Sequence, residues 1–135
     1  MNIFEKVKNL NLPEGEYVVV GSGVLGALGL REVNDIDILV SERLLKKFRN
    51  KEGWGEERKF EEDKLFLNKD GIDIFSQLSW EDYSTTREEA IETARIINGV
   101  PFLNIEETIK FKEALGREKD KKDIELLKSS EFTNF

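Results

Sequence analysis

Apolar and polar positions change period several times along the chain, and each change marks an element. Residues 2–9 place Ile3, Phe4 and Val7 on one side of a short amphipathic helix, which Leu12-Pro13-Glu14-Gly15 breaks. Tyr17-Val18-Val19-Val20 is aromatic and β-branched, lies between glycines, and predicts a buried strand. Gly21-Ser22-Gly23 predicts a tight turn, and residues 24–30 a short helix. Asp35-Ile36-Asp37-Ile38-Leu39-Val40 alternates and then becomes continuously apolar, the pattern of a second strand. Ser41 is placed to cap a helix through about Arg49, in which Leu44, Leu45 and Phe48 have helical spacing.

Residues 50–55 read as a loop, and 58–60 and 64–68 as strands. Lys69-Asp70-Gly71 is a hairpin signal, after which Ile72-Asp73-Ile74-Phe75 alternates as a strand. Residues 87–94 read as a helix, and 95–102 as a hairpin or edge strand around Asn98-Gly99. A helix begins at Asn104 or Ile105 and runs to about Leu115, where Gly116 ends or interrupts it. A last helix covers 119–127, and 129–135 reads as a frayed end. The chain shows no internal repeat. This order predicts one α/β domain over 1–135, a mixed β-sheet backed by helices, with C-terminal helices from about residue 104.

Composition narrows the chemistry. The length of 135 residues suits one domain. The chain has no histidine and no cysteine, which removes a Ser-His-Asp triad, a thiol nucleophile and a His-ligated zinc site. Any catalysis would rest on carboxylates, lysines, arginines, hydroxyls or a bound ion. The 28 acidic and 21 basic residues give a net charge of −7, which argues against a broad grip on long nucleic acid while leaving room for a local basic pocket. No apolar run approaches the ~20 residues of a membrane span, and the first residues lack the pattern of a secretory signal. The expected location is cytoplasmic, with no membrane association.

Two aspartates carry the strongest chemical signal. Residues two apart on a strand share a face, so Asp35 and Asp37 project side by side. Two neighbouring anions among apolar residues repel each other and resist desolvation. A hard divalent cation such as magnesium resolves both problems; the plainer alternative is one solvated strand face. Gly21-Ser22 allows a phosphate to approach backbone N–H groups and adds a hydroxyl donor, or is an ordinary turn. Asp73, between two isoleucines, is placed to supply a third carboxylate from a later strand, or faces solvent.

Gly21-Ser22 followed by Arg31-Glu32-Val33-Asn34-Asp35-Ile36-Asp37-Ile38 resembles the signature of the polymerase-β-like nucleotidyltransferase superfamily, with Asp73 at the position of the third acid. Ile109-Lys110-Phe111-Lys112, Leu115-Gly116-Arg117, Lys119-Asp120 and Asp123-Ile124 resemble the C-terminal helical segment of its small members. Those include relatives of aminoglycoside and lincosamide adenylyltransferases and antitoxin-type members. The resemblance covers about residues 16–76 and 103–127. It implies a nucleotidyltransferase fold and transfer of a nucleoside monophosphate from a triphosphate, ATP among the candidates, to a hydroxyl acceptor, with release of pyrophosphate. It further implies two magnesium ions bridged by Asp35 and Asp37. Asp73 would ligate the ion nearest the acceptor and take the acceptor's proton, and Gly21 and Ser22 would hold the outer phosphates.

Arg31 is placed either to neutralise phosphate or to pair with Asp35. Lys112 is either a point charge reaching the triphosphate or a solvated helix-face residue. Arg117, Lys119, Asp120 and Asp123 read as a charge network between helices. Trp54, Trp80 and Tyr83 can stack on a base, although packing is the simpler expectation. Gly21-Ser22-Gly23-Val24-Leu25-Gly26 also matches a dinucleotide fingerprint, with Glu42 near the place of a ribose-binding acid. On that reading Gly26→Ala should be severe, and on the metal reading mild. The third alternative is a catalytically silent binding module, antitoxin-like or nucleotide-sensing. With little room for a substrate domain, a homodimer or partner protein is expected to complete the acceptor site.

Overall fold

A computed structural model describes residues 2–59, 64–80 and 83–130. Phe60 and residues 131–135, included in the expectations above, lie outside the described residues. So does the Trp80 side chain, and with it the proposed stacking of that ring.

The elements follow the apolar pattern closely. Helix α1 (Ile3–Lys8) is capped by Asn2, whose side chain accepts from Glu5 N. Strand β1 (Tyr17–Val20) is buried at all four positions, which is why its sequence shows no alternation. Helix α2 (Ser22–Ala27) starts at the turn itself, two residues earlier than its apolar pattern indicates. Strand β2 (Ile36–Val40) begins one residue after Asp35. Helix α3 (Glu42–Arg49) is capped by Ser41, whose hydroxyl accepts from Leu44 N. Strands β3 (Gly55–Lys59), β4 (Lys64–Lys69) and β5 (Ile72–Phe75) follow. The turn between β4 and β5 holds Asp70 and Gly71 at φ +50° and +80°, the left-handed pair that this dipeptide tolerates.

A small hairpin, β6 (Ser79–Trp80) with β7 (Tyr83–Ser84), precedes helix α4 (Arg87–Glu92). Strands β8 (Arg95–Ile97) and β9 (Val100–Phe102) turn at Asn98-Gly99, again at positive φ. Helix α5 (Ile105–Leu115) is capped by Asn104 and stopped by Gly116 in the left-handed conformation. Helix α6 (Glu118–Ser129) closes the described chain. Ser129 therefore belongs to a helix and is not part of a frayed end.

Among the described residues, seven strands form one mixed sheet in the order β3-β4-β5-β2-β1-β9-β8. β1 and β2 are antiparallel, while β2 and β5 run parallel. This overturns the dinucleotide alternative, because that fold requires parallel strands joined by a crossover helix. The glycines of the apparent fingerprint have a packing reason. A Cβ on Gly26 would meet Val33 Cγ2 at 2.6 Å, and one on Gly23 would meet Val19 Cγ1 at 2.7 Å. Gly26→Ala is therefore disruptive for packing alone and does not separate the two readings as the sequence suggests.

The register decides where the acids go. Ile36, Ile38, Ile72 and Ile74 turn to the sheet face covered by α1 and α3, and all are buried. Asp37 and Asp73 turn to the other face, near the C-terminal helices.

Candidate active site

The β2–β5 pairing matches Asp37 with Asp73 as Cα partners. Neighbouring strands lie about 4.8 Å apart, so two carboxylates on one face stand side by side. Val20, at the end of β1, pairs with Asp37 on its other flank. Immediately beyond Val20, Gly21 adopts φ +65° and passes against Asp37; a Cβ there would lie 3.3 Å from its Oδ2. The turn glycine thus supplies both the positive φ and the clearance for the carboxylate.

A cavity of about 300 Å³ opens over this pair. Asp35, Asp37 and Asp73 line it together with Ser22. Lys64, Arg117 and Lys119 also line it, three cations against three carboxylates. An apolar wall is made by Phe66, Phe75, Leu78, Phe111 and Leu115. The rings of Phe66 and Phe75 lie 4.8 Å apart.

Behind Ser22 sits a buried charge network. Arg31 donates from Nε and Nη2 to the two Asp123 oxygens at 2.7 and 2.8 Å, a bidentate pair. Lys112, only 2% exposed, donates to Asp123 Oδ2 at 2.9 Å and lies 3.5 Å from Asp120 Oδ1. Arg117 donates to both Asp120 oxygens, at 2.6 and 3.1 Å, and its backbone N–H donates to Oδ2. Burial pushes both carboxyl groups up, but hydrogen bonds outweigh it and hold both below the ordinary aspartate value. Asp120 is held by Arg117, and Asp123 by Arg31 and Lys112. The Asp120 pairing raises the Arg117 guanidinium, and Asp37 contributes to that field.

Ser22 joins this network to the cavity. Its Oγ accepts from Arg31 Nη2 at 3.0 Å and from Lys112 Nζ at 3.4 Å. A hydroxyl has two acceptor lone pairs and one donor. With both lone pairs facing cations, its proton is left to donate to an anionic group in the cavity.

The sequence-derived residues thus divide. Asp35, Asp37, Asp73 and Ser22 line one cavity, and Gly21 abuts it. Arg31 and Lys112 stand one layer behind and are committed to Asp123. Arg31 pairs with this residue 92 positions on rather than with Asp35, and Lys112 is not a solvated helix-face residue. The charge network expected of the C-terminal helices is present for Arg117, Asp120 and Asp123 but not for Lys119, and it reaches beyond the helices to Arg31. Lys64, Arg117 and Lys119 are cavity cations that the motif reading did not assign. Trp54 packs edge-on against Phe48 at 5.2 Å, and Tyr83 packs against Phe111 at 5.4 Å, so neither ring is presented to this cavity.

The donor set is all oxygen, which suits a hard divalent cation, and the Asp37–Asp73 pair has the adjacency such an ion needs. Among the described residues, however, no three carboxylates are gathered into a group that could hold a metal ion. Asp35 shares the cavity without closing a three-acid nest. No described helix is long and apolar enough to cross a membrane. Comparison with protein-family models, curated proteins and solved structures finds no match to this chain.

Proposed function

We propose that the protein is a minimal nucleotidyltransferase that moves a nucleoside monophosphate from a nucleoside triphosphate to a hydroxyl acceptor. The observation that carries this reading is the in-register Asp37–Asp73 pair, facing one cavity with Asp35 and Ser22. An antiparallel β1–β2 pair joined through a glycine-serine turn, with the third acid on a strand parallel to β2, supports a nucleotidyltransferase fold.

Asp37 and Asp73 would hold magnesium, which when bound would neutralise phosphate charge and lower the pKa of an attacking oxygen, with Asp35 adding negative charge from the same cavity. The Ser22 hydroxyl donates to a phosphate oxygen. Arg117 and Lys119 balance the remaining charge of the triphosphate. Asp73 takes the acceptor's proton as the acceptor oxygen bonds to the α-phosphorus. The bond to the bridging oxygen breaks, and pyrophosphate leaves. The apolar wall of Phe66, Phe75 and Phe111 offers packing for a base or for an acceptor of small size.

A silent binding module is the second reading, favoured by the lack of a closed three-acid group among the described residues. Incubation with magnesium and each labelled triphosphate, in the presence of hydroxyl acceptors, separates the two. Label transfer that Asp37→Asn abolishes supports the enzyme. Metal-dependent nucleotide binding without pyrophosphate release supports the module. Binding that ignores both magnesium and Asp37→Asn defeats both.

A further inference from the structure

A second cavity lies on the opposite face of the same sheet. Ile72 and Asp73 are neighbours on β5 and point to opposite sides; Asp73 lines the front cavity and Ile72 the back one. The back cavity, about 600 Å³, sits between the end of α1, helix α3 and the β4–β5 turn. That volume is in the range of small-ligand sites. Leu10, Leu44, Phe48 and Ile72 contribute apolar surface, and Trp54 stands beside Phe48 with its ring turned 78° to it.

The remaining lining is cationic. Lys6, Lys47, Lys51 and Lys69 face Glu52 and Asp70, a local excess of positive charge on a chain of net charge −7. Among the described residues, the side chains of Lys6 and Lys69 have no ion-pair partner, and Lys47 acts on Glu16 through its field alone. Lys51 places its Nζ 4.3 Å from the centroid of the Phe48 ring. Elsewhere several arginines are engaged by carboxylates, as at Arg43–Glu16 and Arg49–Glu56. Four cations that share a cavity with aromatic rings, two of them without an ion-pair partner, are electrostatically complementary to an anion that also carries a flat apolar body. Lysines act as point charges toward phosphate, and several together suit a dianion better than a carboxylate. Glu52, Asp70 and the net negative charge disfavour an extended polyanion.

We propose that this back cavity binds a small aromatic phosphate monoester, the chemistry of a nucleoside monophosphate, with its ring against Trp54 and its phosphate among Lys47, Lys51 and Lys69. The site is separate from the carboxylate cavity and does not depend on the function proposed for it.

The test uses the whole chain and the fluorescent probe anilinonaphthalene sulfonate, with displacement by adenosine monophosphate or inorganic phosphate. Saturable probe binding is expected, reversed by adenosine monophosphate and far less by inorganic phosphate. The pair Lys47→Glu and Lys51→Glu, both at exposed positions, should weaken adenosine monophosphate about tenfold. Lys69→Glu alone should weaken it in the same direction, which keeps the test open should the pair fail to fold. Asp37→Asn should leave it unchanged. The proposal is overturned if the nucleotide displaces no probe, or if phosphate alone displaces it equally well. It is also overturned if the lysine variants bind normally, or if Asp37→Asn removes the binding.

Discussion

Asp37 and Asp73 occupy facing positions on two parallel strands, with both side chains on the same face. Like charges placed opposite each other on a sheet destabilise it. Asp73→Asn should therefore stabilise the metal-free protein, by about 0.5 kcal/mol on the scale of such pairs. On the proposed function, magnesium should raise the melting temperature of the wild type, and the same change should remove that rise and abolish nucleotidyl transfer. Urea unfolding and thermal melts with and without magnesium measure both effects. A variant that is less stable without metal would mean that the cations lining the cavity already outweigh the repulsion between the carboxylates.

Lys112 holds two buried carboxylates and the Ser22 hydroxyl in place. Lys112→Met keeps the length of the side chain but leaves Asp123 and Asp120 short of a cation. Removing one partner of a buried pair typically costs about 3–5 kcal/mol. Unfolding in urea should show a loss of that order, whereas Lys110→Met, on an exposed turn of the same helix, should cost under about 0.5 kcal/mol.

The contrast between these two lysines shows what was legible in the sequence. Local signals were readable because short-range sterics fix them: the Asp70-Gly71 and Asn98-Gly99 turns at positive φ, and the Ser41 and Asn104 caps. The strand runs were readable for the same reason, but whether Asp73 joins Asp37 or faces solvent was left open, since the β2–β5 register decides it. The Arg31–Asp123 pair was not readable, since it spans 92 residues and no local pattern specifies it. One signal did exist. Thr108 and Lys112 on α5, and Asp120, Asp123 and Leu127 on α6, follow helical spacing and are all buried. Charged residues in the positions of an apolar stripe mark a buried network. The cavity cations Lys64, Arg117 and Lys119 come from separate segments, so only the tertiary fold assembles them.

The lowered carboxyl groups of Asp120 and Asp123 give the protein an acid limit. Burial acts to raise them, and the hydrogen bonds from Arg117, Arg31 and Lys112 prevail. Their folded pKa values therefore lie below the unfolded ones, and the folded state binds fewer protons. This contribution is complete above the unfolded value, near pH 4, and drains away as pH falls through the folded values. Denaturant midpoints measured from pH 6 to pH 2.5 should decline below about pH 4. Asp123→Asn, already less stable, should decline less steeply over the same interval.

Gly26 faces Val33, and an added methyl would lie 2.6 Å from its Cγ2. Gly26→Ala should cost about 1–3 kcal/mol through overpacking. The double variant with Val33→Ala should recover part of that loss. Calorimetric melts of the two variants check this, and an absence of recovery would place the strain elsewhere.

The Arg31–Asp123 clasp has a consequence for biosynthesis. The hydroxyl at residue 22 emerges from the ribosome early, but the helix that steadies the cation beside it is made about a hundred residues later. Until α6 has been made and has packed against Arg31 and Lys112, the serine hydroxyl lacks the carboxylate that fixes both of its cationic neighbours.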